Sequence, residues 1–194
     1  MIPAISQLFE DLITRHGDTP RGVGWENSGQ EYKRSKALFD IFKHESNPSI
    51  LDFGCWPARF LDFLKTQDFQ CDYIGIDANL KSIELAKAKY PKVLFLHSES
   101  PVPAQYVIAN GVFTPRMNTP EDIMWAYTTS LLTELWGACQ KAVIFNFHTP
   151  LIRWPALAFS PPFEKIIPFV GSLTRKFSIK HDYLPSDYFI VMNK

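Results

Sequence analysis

Residues 49–60, which read SILDFGCWPARF, constrain the fold more than any other stretch of the chain. They open with a short apolar strand at 50–53, break at Gly54, and continue as an apolar-periodic helix through Phe60 and Leu64. A strand that ends in a glycine turn and leads into a helix is the usual start of a nucleotide-binding α/β unit. The stretch therefore predicts an α/β fold with a ligand site at this turn.

A second strand, predicted at 72–77, ends in an acid. Asp77 lies at its tip, where a carboxylate is placed to accept hydrogen bonds from ribose hydroxyls. The first turn departs from the usual pattern, because Trp56 and Ala58 stand where such loops have glycine, and Pro57 lacks an N–H donor. Two interpretations follow: the indole fills the ligand site, or it turns outward and leaves the site intact.

Composition limits the class of protein and its partners. The chain has 194 residues, 46% of them apolar and 14% aromatic, which is enough for one folded domain with a sizeable core. Basic and acidic residues balance at 20 each, and this balance argues against nucleic acid as a partner.

Other features favour a cytoplasmic protein. Cys55, Cys71 and Cys139 are far apart and odd in number, which fits a reducing compartment and offers no metal-ligand spacing. No apolar run approaches the roughly 18 residues of a membrane span. Acidic residues at 10 and 11, without a basic leader, argue against a signal peptide.

Hydrophobic periodicity predicts two opening helices and then alternating strands and helices. Helices are predicted at 2–13, at 30–43, at 58–66, between Asp77 and Tyr90, from Thr119 onward, and at 163–173. Strands are predicted at 49–54, 72–77, 93–97, 106–109 with a loose continuation to 113, 142–147, 177–183 and 188–193. The near-continuous apolar character of the first, fourth and fifth strands indicates burial on both faces, as in parallel sheets.

The long helix and the final strands carry further signals. Thr119 is a predicted capping residue, Pro120 fits the first turn, and two acids follow at the positive end of the helix dipole. The predicted buried face consists of Ile123, Tyr127, Leu131 and Leu135. Only residues 184–187 separate the last two strands, and so short a connection requires an antiparallel hairpin.

This arrangement resembles the class I S-adenosylmethionine-dependent methyltransferases over nearly the whole chain. LDFGC at 51–55 is similar to the first motif of that class, and YIGIDANLKSIELAK at 73–87 is similar to the second. Four other stretches resemble a small bacterial subgroup of undefined substrate: VGWENSGQEYKRS at 23–35, ANGVFTPR at 109–116, FNFHT at 145–149 and HDYLPSDYFIV at 181–191.

The resemblance implies a three-layer Rossmann-like fold, whose seven-stranded, mostly parallel sheet has an antiparallel C-terminal strand. It implies one domain over 1–194, with a helical cap at 1–45 and the Rossmann-like core at 49–194. The implied activity is methyl transfer from S-adenosylmethionine to an oxygen, nitrogen or carbon atom of a small molecule.

Ligands of open α/β sheets bind beyond the carboxyl ends of the strands. The candidate cofactor-binding residues are Arg34, Gly54, Cys55, Asp77, Ala78, Ser98, Glu99 and Asn110. Backbone N–H groups of the first turn and of the helix start suit the cofactor carboxylate, which Arg34 can also pair with, and Asp77 suits the ribose. Ser98 or Glu99 can meet the adenine amine, and Trp25 either closes the pocket or simply packs.

His148, after the fifth strand, is the candidate catalytic base, because a neutral imidazole can take up a proton near pH 7. A structural role stays open, since the sulfonium is a strong leaving group and alignment alone can suffice. Asn110 likewise either orients a ligand or forms a turn. The proline-rich loop at 150–162, which carries Trp154, covers the pocket, meets a protein partner or folds back on the core.

Two other function classes stay open. The Trp56-Pro57 departure allows a chain that keeps the fold, loses catalysis and serves as a binding or scaffold subunit. A nicotinamide-dependent oxidoreductase is the third class, and the terminal hairpin disfavours it.

Overall fold

A computed structural model describes residues 2–23, 28–155 and 157–194 of the chain. Trp25, which the sequence analysis expects either to close the pocket or to pack, lies outside the described residues. The helices are α1 Pro3–His16, α2 Ser28–Phe42, α3 Arg59–Thr66, α4 Leu80–Lys89, α5 Glu121–Ala138 and α6 Phe163–Leu173, with a 3-10 turn at Arg21–Val23. The strands are β1 Ser49–Phe53, β2 Asp72–Asp77, β3 Leu94–His97, β4 Ala104–Ala109, β5 Cys139–His148, β6 Phe177–Leu184 and β7 Asp187–Asn193.

The described strands make a seven-stranded mixed sheet, which confirms the predicted α/β fold class. The chain divides into two compact units, residues 1–99 and residues 100–194. The strand order is β3-β2-β1 in the first unit and β4-β5-β7-β6 in the second. The pairs inside the first unit and the pair of β4 with β5 are parallel, whereas β7 runs antiparallel to both of its neighbours.

Aromatic packing builds the helical side of the first unit. Phe39 and Phe42 of α2 meet Phe69 edge-on or tilted, with ring centroids 5.2 and 5.9 Å apart. Phe60 and Phe63 of α3 stack on each other at 6.2 Å, and Phe42 also contacts Phe60. Each buried aromatic side chain removes a large apolar area from water, so these contacts hold α2 against α3.

An ion-pair network ties the segment before the sheet to α3 and α4. The Arg59 guanidinium donates to both carboxylate oxygens of Glu31 and to Asp18, where the nitrogen–oxygen distance is 2.8 Å. Lys89 reaches Asp18 and also Asp62, the latter at 2.7 Å. These side chains are partly shielded from water, so their mutual attraction is stronger than that of a fully exposed pair.

The second unit confirms the predicted terminal hairpin, because β6 and β7 pair antiparallel. Their register is interrupted: Lys180 faces Phe189 and Leu184 faces Asp187, so three residues of β6 lie opposite one residue of β7. Such a β-bulge bends a strand and redirects its side chains. β4 is shorter at its end than predicted, because Gly111 takes a φ of +81° and turns the chain.

The predicted start and buried face of α5 are wrong in part. The helix begins after Pro120, and no side chain caps it, so Thr119 is not the capping residue. Ile123 is 50% exposed, and the buried stripe is formed by Met124, Thr128, Leu131, Leu132 and Leu135. Residues spaced strictly by four drift around a helix of 3.6 residues per turn, so Ile123 leaves the face that Leu131 and Leu135 occupy.

Within the described residues, no helix is both long enough and apolar enough to cross a membrane.

The Arg59 network gives a testable stability effect. Arg59→Met keeps a long apolar stem but leaves Glu31 and Asp18 without their shared cation, so we expect a loss of about 2 kcal/mol in the free energy of unfolding. Urea denaturation measures it. Lys36→Met is the matched control, because the exposed Lys36–Asp40 pair should contribute only about 0.5 kcal/mol. Equal losses in the two variants would contradict the role of the network.

Candidate functional site

The turn after β1 places three residues in the left-handed region, and only one of them is glycine. Gly54, Trp56 and Ala58 have φ angles of +77°, +51° and +60°, so alternate residues adopt the left-handed region. That region costs a residue other than glycine about 1 kcal/mol or more. Backbone strain of this kind persists where the surrounding structure enforces it, and it concentrates at functional sites.

Hydrogen bonds fix this turn to β2. The N–H groups of Gly54 and Cys55 both donate to the carbonyl oxygen of Ile76, at 2.7 and 3.0 Å. The Ala58 N–H donates to the carbonyl oxygens of Cys55 and Trp56. The Gly54 and Cys55 N–H groups are thus already used, so a carboxylate bound at this turn would take its hydrogen bonds from other backbone N–H groups.

Asp77 joins the turn to the start of α4. Its Oδ2 accepts the Trp56 N–H at 3.0 Å, and its Oδ1 accepts the Asn79 N–H at 2.8 Å. Burial raises the pKa of Asp77 to about 6, although the two backbone N–H groups pull it down. Each carboxylate oxygen keeps a second lone pair, so Asp77 can still accept hydrogen bonds from a diol.

A second acid, Asp52, lies in the middle of β1 and was missed by the sequence reasoning. It is 3% exposed, and the Tyr73 hydroxyl on β2 donates to its Oδ2. Burial raises the pKa of Asp52 to about 7, and the nearby Asp77 charge adds to the shift. The available signal was an ionisable residue inside an otherwise apolar strand, which needs a partner when it is buried.

The Trp56 indole packs on α1. Its ring meets the Phe9 ring edge-on, with the centroids 4.9 Å apart and the planes at 89°. Edge-to-face contacts of this geometry are favourable beyond the area that they bury. The indole therefore has an aromatic partner within the first unit.

The other candidate residues of the first unit differ in their surroundings. Arg34 is buried within α2. Burial raises the pKa of the Cys55 thiol well above its usual range, which fits a packing cysteine. The Ala78 carbonyl oxygen lies 2.9 Å from Nε2 of His97, and the Ser98 N–H donates to the carbonyl oxygen of Asp77 at 3.1 Å.

The strand ends of this unit thus bring together the turn, Asp77, Ala78 and Ser98. Glu99 follows as an exposed residue after β3.

In the second unit, Asn110 and Gly111 follow β4. Asn110 Oδ1 is buried and has no hydrogen-bond partner among the described residues. The Gly111 N–H donates to Oδ1 of Asn146 on β5 at 2.6 Å. The Asn146 amide in turn donates to both carboxylate oxygens of Asp187, at 3.1 and 3.0 Å.

His148 ends β5 beside this network. Its Nδ1 lies 3.8 Å from Oδ2 of Asp187, which is the residue opposite it on β7. Its ring stacks on Trp154, with the centroids 3.9 Å apart and the planes at 14°. Trp154 Nε1 donates to the Thr149 carbonyl oxygen, and Ser160 Oγ donates to that of His148.

The loop at 150–162 therefore folds back in part. Trp154 packs on His148, and Phe159 is 2% exposed. Leu151, Ile152 and Leu157 are exposed on the same loop.

The sequence predicted His148 and Asn110 as site residues but not Asn146, Asp187 or Tyr183, whose hydroxyl donates to Asp187. Asn146 and His148 are both in the FNFHT stretch, and Asp187 is the last residue of the predicted connection at 184–187, within the 181–191 stretch. Their meeting depends on the antiparallel register of β5 with β7, which pairs His148 with Asp187.

Comparison with known proteins assigns the fold. A magnesium protoporphyrin IX methyltransferase from Synechocystis PCC 6803, solved with bound SAM, superposes with a TM-score of 0.62 at 13% identity, over 85% of this chain and 80% of that one. The plantazolicin methyltransferase BpumL, solved with a triazolic desmethylPZN analog and SAH, gives 0.63 at 12% identity, over 100% and 92%. This is the class I methyltransferase fold. The small RNA methyltransferase HEN1 shares it, with a TM-score of 0.61 at 14% identity, over 84% of this chain and 25% of that one.

Sequence comparison points the same way. A Mycobacterium tuberculosis protein provisionally named a methyltransferase is 27% identical over 105 residues, which are 52% of this chain and 63% of that protein. A protein of Invertebrate iridescent virus 6 with the same provisional name is 31% identical over 70 residues, 36% of this chain and 26% of the viral protein. The matches thus span less than two thirds of either relative. No protein-family model matches the chain.

The buried Asp52 predicts a pH-dependent stability. The pKa of Asp52 is raised in the folded state. Well below pH 4 the carboxyl is protonated in both the folded and the unfolded state, so its titration does not affect stability. As the pH rises toward 7, only the unfolded state loses the proton, and the free energy of unfolding falls progressively. Asp52→Asn removes this cost, so we expect the variant to gain about 2–4 kcal/mol over the wild type between pH 4 and pH 8.

Urea denaturation at the two pH values measures this gain. Asp72→Asn, an exposed position on β2, is the matched control and should show no such gain. A stability difference for Asp52→Asn that does not change with pH would contradict the burial argument.

Proposed function

We propose that this protein transfers a methyl group from S-adenosylmethionine to a small-molecule acceptor. The observation that carries the proposal is the left-handed turn after β1, which is held to the Asp77 carboxylate although two of its three left-handed residues are not glycine. A chain that needed only a connection between β1 and α3 would have no reason to maintain this strained path.

The described residues fit such a cofactor. Asp77 has lone pairs for the ribose diol, and Asp52 is a buried acid that a cationic group can hold in its ionised form. The start of α3 has no side-chain cap, so its first-turn N–H groups suit a carboxylate. Ser98, Glu99 and Arg34 keep the roles that the resemblance implies, toward the adenine and the cofactor carboxylate.

The acceptor is proposed on charge. The three proteins compared are named for magnesium protoporphyrin IX, plantazolicin and a small RNA, so the fold alone selects no acceptor. The 20 basic and 20 acidic residues of this chain favour a small molecule over a nucleic acid. Its three cysteines are free thiols, which favours a reducing compartment such as the cytoplasm.

The second candidate function is a catalytically inactive binding or scaffold subunit. Trp56 and Pro57 favour it, because the indole adds bulk at a position usually given to glycine and proline removes an N–H group. The exposed apolar residues of the 150–162 loop would then serve a protein partner.

Calorimetry with S-adenosylhomocysteine separates the two functions. We expect micromolar affinity for the wild type and a loss of tenfold or more in Asp77→Ala, because the ribose would lose charge-assisted hydrogen bonds. Asp72→Ala, on the same strand but exposed, is the matched control and should bind like the wild type. No heat at millimolar ligand would favour the inactive subunit, and recovery in Trp56→Gly would then identify the indole as the obstacle.

The affinity should also depend on pH. Asp77 accepts hydrogen bonds best when ionised, and its raised pKa of about 6 means that it gains protons as the pH falls from 7.5 to 5. We therefore expect the affinity for S-adenosylhomocysteine to fall several-fold over that range. The loss should be smaller in Asp77→Asn, which has no carboxylate to titrate, and an equal loss in both proteins would contradict this assignment.

A further inference from the structure

Asp187 is a fully buried carboxylate that the sheet places beside His148. It is the first residue of β7, is 0% exposed, and pairs with His148 across the antiparallel ladder. A buried carboxylate is costly unless hydrogen bonds replace its lost water. We therefore expect hydrogen-bond donors around the Asp187 carboxylate.

Side chains of the described residues donate to Asp187 from two elements, β5 and β6. The Asn146 amide donates to both of its oxygens, and the Tyr183 hydroxyl donates to Oδ1. The orientation of the Asn146 amide is determined by the Gly111 N–H, which can only pair with Oδ1 and so directs Nδ2 toward the carboxylate. The carboxylate is thus held by donors that are themselves fixed.

The β-bulge in β6 supplies one of these donors. Three residues, 181–183, lie opposite Tyr188 alone, and this change of register brings Tyr183 onto the side chains of β7. The Tyr183 ring stacks on Phe189 at 4.8 Å while its hydroxyl reaches Asp187. Bulges that redirect a side chain are common next to active sites.

The orientation of His148 is fixed from two directions. Trp154 covers one face of the imidazole, and Nδ1 is the ring nitrogen that faces Asp187, at 3.8 Å from Oδ2. A carboxylate next to Nδ1 favours the tautomer in which Nδ1 carries the proton. The distance is longer than a hydrogen bond, and catalytic hydrogen bonds often shorten only when the substrate is bound.

We propose that Asp187 is a positioning residue that holds His148 in the Nδ1-protonated tautomer and leaves Nε2 as a proton acceptor. This inference rests on the proposed function, since it gives the base its purpose. With a hydroxyl acceptor, the oxygen–carbon bond forms as the sulfur–carbon bond of the methyl donor breaks, and the hydroxyl proton passes to Nε2. The resulting imidazolium is stabilised by the Asp187 carboxylate. It returns to the neutral imidazole when its proton passes to solvent.

Nitrogen-15 NMR of the histidine rings in the full chain tests the tautomer directly. At pH 7.5 we expect the His148 ring, assigned by comparison with His148→Gln, to show a protonated Nδ1 and a bare Nε2. In Asp187→Asn we expect the Nε2-protonated tautomer to become the major form, because the carboxylate is gone. Asp182→Asn is the matched control: it removes an exposed acid five residues before Asp187 and should leave the tautomer unchanged.

Each outcome of this experiment either supports or overturns the proposal. A bare Nδ1 in the wild type, or the same tautomer in Asp187→Asn, overturns the proposal; the wild-type spectrum suffices if Asp187→Asn does not fold. Tyr183→Phe keeps the carboxylate and should keep the tautomer, so a change there would also overturn it. S-adenosylhomocysteine calorimetry is independent of this readout: a wrong tautomer with intact binding rejects only the role of Asp187, whereas absent binding rejects the proposed function.

Discussion

The hydrogen bond from the Trp56 N–H to the Asp77 carboxylate is the contact on which the first unit depends. It connects a turn after β1 to the tip of β2, and the carbonyl oxygen of Ile76 adds two further backbone contacts. The left-handed backbone of Trp56 and Ala58 costs about 1 kcal/mol for each residue, so other contacts must hold the turn in this conformation. A charged acceptor compensates for such a loss more fully than a neutral one.

Two buried acids in this protein are held in different ways. Among the described residues, the Tyr73 hydroxyl donates to Asp52, and burial outweighs that bond, so the pKa of Asp52 rises to about 7. Asp187 has three hydrogen bonds from Asn146 and Tyr183, and Nδ1 of His148 also faces it. An acid with few donors is suited to gain a cationic ligand, whereas an acid with several donors is suited to orient a neighbour.

The loop at 150–162 links packing to chemistry in the second unit. The Trp154 ring stacks on His148, and its indole N–H donates to the Thr149 carbonyl oxygen. The same loop leaves Leu151 and Leu157 exposed, so only part of its apolar surface is used within the described residues. A histidine that is stacked in this way cannot rotate freely, which makes the position of its second nitrogen predictable.

Local sequence was sufficient for the strands, the glycine turn, Asp77 and the hairpin. Period-two and continuous apolar runs depend on burial alone, and a four-residue connection leaves one pairing geometry, so these features are visible in the chain itself. Asn110 and His148 were predicted as site residues because they follow strands. What the tertiary structure decided was pairing: the face of α5 that is buried, the bond of Tyr73 to Asp52, and the meeting of His148 with Asp187. Those contacts join residues about 20 to 40 positions apart, and no local pattern encodes the register that brings them together.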